Sequence, residues 1–169
     1  MAGIPDLVSD MVERIPAEVP PDQEKLWGAC AGYYMTATRS PTGRIITREA
    51  RGIQGNIASD FFCHLFSCCT ALAALLSKNS ALTRDRATAA LMTLSIDVPS
   101  KQIIVEHCLD QLLQLLAQNS EKESLTDNIK AALLNCSEDP VASRRIQETM
   151  SPSEAQRQLG PLPQFAPSF

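Results

Sequence analysis

Between residues 72 and 137 apolar side chains recur at spacings of three and four: Leu72, Leu75 and Leu76; Leu109, Leu112, Leu113 and Leu116; Ile129 and Leu133. That is the spacing of helices with one buried face. Breakers fall between the periodic stretches: "PAEVPPD" (16–22), "SPTG" (40–43), "VPS" (98–100), "EDP" (138–140) and "SPS" (151–153). Strand signals are nearly absent. Only "RIIT" (44–47) is rich in β-branched residues, and it runs straight into the helical-toned "REARGIQ". The pattern predicts an all-α chain. Two N-terminal stretches, "IPDLVSDMVERI" (4–15) and "EKLWGACAGYYMTA" (24–37), read as further helices, whereas the proline-rich "GPLPQFAPSF" (160–169) has no periodicity and reads as a loose tail.

Laid against itself, the chain repeats. "LAALLSKNS" (72–80) matches "LLQLLAQNS" (112–120) at a shift of 40, and "AALMTLS" (89–95) matches "AALLNCS" (131–137) at a shift of 42. The two extra residues fall in a polar connection, where insertion costs little. Setting Asn56 of "IQGNIAS" (53–59) on Thr93 adds a third copy at a shift of 37. Self-similarity at this period is the mark of helical repeat stacks, in which a unit that cannot bury its apolar face alone is covered by its neighbour.

The repeated unit resembles an armadillo repeat: a short first helix, a second of the form L-x-x-L-L, and a third ending A-L-x-N-L-(A/S). The best unit runs from Val98 to Pro140, with first, second and third helices expected over 99–106, 109–118 and 124–137. "SLTD" at Ser124–Asp127 has capping-box spacing for the start of the third. The preceding unit is expected over 60–95, and a third helix before that over 47–59. The family's usual glycine between first and second helices is replaced by "EHC" (106–108), so a differently shaped turn is expected there. The resemblance implies a short right-handed α-solenoid over 45–150. Residues 1–44 would form an N-terminal helical cap with linkers, and residues 151–169 a disordered, proline-rich C-terminal tail. In such a stack Leu72, Leu75, Leu76 and Leu91 should pack on Ile104, Leu112 and Leu116 of the next unit, each burial worth roughly 1.5–3 kcal/mol.

Charge and composition narrow the classes of function. A net charge of −4 with 20% charged residues gives no electrostatic case for nucleic acid or an anionic membrane. The longest apolar run, "FFCHLFSCCTALAALLS" (61–77), is interrupted by His64, Ser67 and Thr70 and reads as buried helix rather than membrane span. Six cysteines sit among Ala, Leu and Phe, and the N-terminus lacks a signal-peptide pattern. A reduced, cytoplasmic chain using Cys as a small apolar residue is therefore expected. "CHLFSCC" (63–69) offers Cys63, His64, Cys68 and Cys69, but without the paired C-x₂-C spacing that zinc requires. A catalytic thiol would need a facing base, and His107 is adjacent to Cys108 rather than opposite it. Phosphate-loop, Ser–His–acid and H-E-x-x-H motifs are absent. No catalytic, cofactor or metal site is expected.

An interaction role is what the resemblance implies. In armadillo proteins the third helices line a groove for an extended peptide, and the Asn of the terminal phrase bonds the peptide backbone. Asn56 and Asn135 match that Asn and Thr93 replaces it in the middle unit; Arg48 and Arg84 complete the expected groove set. The alternative for Asn56 and Asn135 is a helix C-terminal residue satisfying local carbonyls. Members that receive basic localisation signals place Trp before the Asn. Here those places hold Gly55, Met92 and Leu134, so that role is not implied. The expectation is a non-catalytic scaffold module for a protein or peptide partner. The alternative is a small structural subunit that uses its solenoid ends within a larger assembly.

Overall fold

The computed structural model describes residues 24–49, 69, 71–78, 80–118, 123–163 and 165. Among these the elements are all helices, with no strand: α1 Glu24–Ala37, α2 Pro41–Glu49, α3 over residues 71–76, α4 Ala81–Leu94, α5 Val98–His107, α6 Leu109–Ala117, α7 Glu123–Cys136, α8 Pro140–Thr149 and α9 Pro152–Leu159. Local chemistry sets the starts. Ser80 caps α4 by accepting from the Thr83 amide, Asp139 caps α8 by accepting from Val141 and Ala142, and Ser151 caps α9 by accepting from Glu154. Pro99, Pro140 and Pro152 sit in first turns, where a missing N–H costs nothing. Ser40 accepts from Gly43 at the start of α2, and a Cβ on Gly43 would collide with the Ala37 carbonyl, so glycine permits this tight turn.

One contiguous core joins the helices. Leu72, Leu75, Leu76 and Leu91 are buried with Ile104, Leu112 and Leu116, together with Ile129, Leu133 and Ile146. Trp27 and Tyr34 extend the core into α1, and the Lys78 ammonium lies 4.7 Å from the Trp27 ring centroid.

Four expectations change. Residues 47–49 end α2, which starts at Pro41, so no third helix begins at Thr47. The helix packed most closely on α4, among the described residues, is α1. The capping box is not formed: Ser124 lies inside α7, and its hydroxyl donates to Asp85 Oδ1 at 2.9 Å. Residues 152–159, expected as tail, form α9, because Ser151 and Pro152 initiate a helix whose Ala155 and Leu159 are buried. Beyond it, Leu162 packs on the core and the Pro163 carbonyl accepts from Ser143 at 3.3 Å. Between α5 and α6 the chain turns at Cys108 with φ −120°, so the missing glycine is not needed. Residues 4–15 and 53–68 lie outside the described residues.

Candidate functional site

Three helices, α1, α4 and α7, lie side by side and parallel, and the same hydrogen bonds join each to the next. Near the N-terminal ends, Arg86 donates to the Gly28 carbonyl at 2.7 Å, and Asn128 donates to the Asp85 carbonyl at 3.5 Å. Near the C-terminal ends, Thr93 donates to Thr38 Oγ1 at 2.6 Å, and Asn135 donates to Ser95 Oγ at 3.0 Å and to the Met92 carbonyl at 3.4 Å. These bonds place Gly28, Asp85 and Asp127 at equivalent positions, and likewise Thr38, Ser95 and Ser137. Each hydroxyl of the latter set also closes its own helix, on the carbonyls of Tyr34, Met92 and Leu134 at 2.7–2.8 Å. Outside the stack a basic residue of each first helix grips the acid of the next turn: Arg44 pairs with Asp97, and Lys101 with Glu138.

This register aligns the rest of the three helices. Gly32, Ala89 and Ala131 form a row of small, half-buried residues. One turn later Met35, Met92 and Leu134 form an apolar row beside Thr36, Thr93 and Asn135. One turn earlier stand Asp85, Arg86, Asp127 and Asn128. By the helical period Ala89, Thr93, Ala131 and Asn135 point away from the core-facing Leu91 and Leu133, whereas Met92 lies between the two faces and packs against the core. The small row crosses the three helices, with the Arg86 side chain lying against Gly32 at its α1 end. One edge is apolar with hydroxyl and amide groups, and the other is polar and charged.

Of the residues expected in a groove, Thr93 and Asn135 lie on this edge, with their donors committed to the neighbouring helix. Arg84 donates to the Leu76 carbonyl at 3.1 Å, closing the C-terminal end of α3. It is therefore not brought together with Thr93 and Asn135. Asn56 and the side chain of Arg48 lie outside the described residues. Sequence reasoning missed Gly32, Ala89 and Ala131 as a row, because small residues carry no chemical signal until the register is known.

Of the candidate thiols and histidines, Cys63, His64 and Cys68 lie outside the described residues. The Cys108 thiol is buried and donates to the Cys69 carbonyl at 3.5 Å, while His107 Nε2 lies 3.6 Å from Glu106. Burial pushes the Cys69 thiol up to about 12, with the nearby Cys136 adding to the shift. Burial likewise pushes Cys136 up to about 12, although Lys101 pulls it down. Such thiols are poor nucleophiles at neutral pH. Among the described residues no group of His, Cys, Asp and Glu could hold a metal ion, and no helix is long and apolar enough to cross a membrane. Compared with family models, curated proteins and solved structures, the chain gives no match.

Proposed function

We propose that the chain is an armadillo-like solenoid working as a non-catalytic interaction module, and that it holds a partner polypeptide along the small-residue row across α1, α4 and α7. The observation that carries this reading is the common register, which sets the small, half-buried Gly32, Ala89 and Ala131 in one row beside Met35, Met92 and Leu134. Small residues let another backbone approach, the apolar row gains from burial, and the oxygens of Thr93 and Asn135 can accept hydrogen bonds from a partner backbone. Four buried cysteines in the thiol form, Cys30, Cys69, Cys108 and Cys136, support placing the chain in a reducing compartment such as the cytoplasm.

A second reading, a structural subunit of a larger assembly, is favoured by Ile45, Ile46, Ile96, Val98 and Val141. These exposed apolar residues lie on α2 and at the turns from α4 to α5 and from α7 to α8. Two variant sets separate the readings. Ala89→Arg with Ala131→Arg covers the small-residue row while keeping good helix formers; Ile46→Asp with Val98→Asp alters the turn edge. Co-purification of partners from cells should be lost in the first set and kept in the second. The reverse pattern overturns the small-row reading in favour of the subunit reading.

A further inference from the structure

Among the described residues the first and last helices of the stack each keep an exposed flank, and the two complement each other. On α7 the flank equivalent to the one α4 turns toward α7 carries Glu123, Asp127, Lys130 and Leu134, and Glu123, Asp127 and Leu134 are exposed. Asp127 holds the place of Asp85, which accepts from Ser124 and Asn128; Leu134 holds the place of Met92, which accepts from Asn135. On α1 the flank equivalent to the one α7 turns toward α4 carries Lys25, Ala29 and Thr36, all exposed. These hold the places of Ser124, Asn128 and Asn135. The units match as well. Helices α8 and α9 follow α7 as α5 and α6 follow α4, yet residues 160–163 and Phe165 beyond α9 are not helical.

We propose that the chain associates head to tail with a second copy, α1 of one copy seating on the open flank of α7 of another, in the register that joins α1 to α4 and α4 to α7. In that register Lys25 meets the Asp127 carboxylate where Ser124 now meets Asp85. Thr36 comes over Leu134 as Asn135 comes over Met92. Lys130 stands where α4 has the buried Thr88, and its long stem can carry the ammonium out of the contact to water. Ser137 is buried and its hydroxyl donates to the Leu134 carbonyl, and a bond to its oxygen from Thr36 of the second copy would need local rearrangement. The outer clamp is also absent: Ser143, bonded to Pro163, stands where Arg44 and Lys101 hold their acids. Association is therefore weaker than the internal stacking, reversible and dependent on concentration. The two surfaces differ, so the contact is heterologous and can continue past a dimer.

Sedimentation of the intact 169-residue chain tests this. The mass should rise with concentration, and Lys25→Asp or Asp127→Lys alone should weaken association about tenfold by placing like charges together. An equimolar mixture of the two variants should regain it, because each open flank then finds an opposite charge. Leu134→Arg, a second change at an exposed site, should also weaken association about tenfold. A wild-type chain that stays monomeric at high concentration overturns the proposal. So do single variants that associate like wild type, or a mixture that stays monomeric while both variants keep wild-type helicity.

Discussion

Replacing Asn135 by alanine breaks one rung of the stack and nothing else. Its amide group donates to Ser95 Oγ at 3.0 Å and to the Met92 carbonyl at 3.4 Å, at a half-buried site. Neither acceptor is orphaned by the change, because Ser95 itself donates to the Met92 carbonyl at 2.8 Å. Two neutral bonds are worth about 0.5–1.5 kcal/mol each, less for the longer one. Alanine recovers about 0.5 kcal/mol of helix propensity. The net loss is about 1 kcal/mol, or ~2–4 °C in Tm for a chain of this size. Urea unfolding of wild type, Asn135→Ala, Ser95→Ala and the double variant measures the rung as a coupling free energy of about 0.5–1 kcal/mol. Thr93→Ala with Thr38→Ala should give a coupling of the same sign, because the same register joins α1 and α4. Strict additivity in both cycles would refute the shared ladder.

Glycines in α1 give a second check. A Cβ on Gly28 would make ordinary contact with Arg86 and Leu82 at 3.6 Å, whereas one on Gly32 would press on Arg86 Nη1 at 3.2 Å. Gly28→Ala should therefore stabilise by up to about 1 kcal/mol, while Gly32→Ala gains less in chemical denaturation because it disturbs the Arg86 bond to the Gly28 carbonyl. Equal effects contradict this packing. The buried thiols predict an alkaline limit. Folding raises the Cys69 and Cys136 pKa from 9.0 to about 12, so the stability they contribute is complete below pH 9 and falls as pH rises toward 12. The slope is at most about 1.4 kcal/mol per pH unit for each thiol. Lys78, whose pKa burial lowers, acts in the opposite sense up to its unfolded value of 10.5. The comparison that isolates the thiols is urea midpoints of wild type and Cys69→Ala between pH 8 and 11, where the wild type should lose more; parallel curves would count against the thiol contribution.

Much of the fold was legible where apolar period and punctuation agree. Helices α5, α6 and α7 were expected at 99–106, 109–118 and 124–137, and they lie within two residues of those bounds, because Leu109, Leu112, Leu116, Ile129 and Leu133 carry the stripe and Pro99 and Pro140 mark the starts. Helix α2 was harder, because Ile45 and Ile46 suggest a strand and both are exposed rather than packed. Helix α9 was missed because "SPS" reads as a breaker, whereas Ser151 and Pro152 are a cap and first turn, and only Ala155 and Leu159 are buried. Ser124 looked like a cap because the motif says nothing about Asp85, which lies far away in sequence. The copy of the repeated phrase in α1 was hidden by the long segment between α1 and α4. It also differs in residue type, with Tyr34 in the place of Leu91 and Leu133 and Thr38 in the place of Ser95 and Ser137. Without that register, Gly32, Ala89 and Ala131 are only three unrelated small residues.

Site-specific photo-cross-linking reads out the small-residue row directly. A photoreactive residue is placed at 89, at 131, or at 114 on the exposed side of α6, in the intact chain expressed in cells. A partner polypeptide held across α1, α4 and α7 gives one common adduct from positions 89 and 131 and none from 114. Adducts from 114 alone, or equally from all three positions, would contradict the small-residue row as the binding surface.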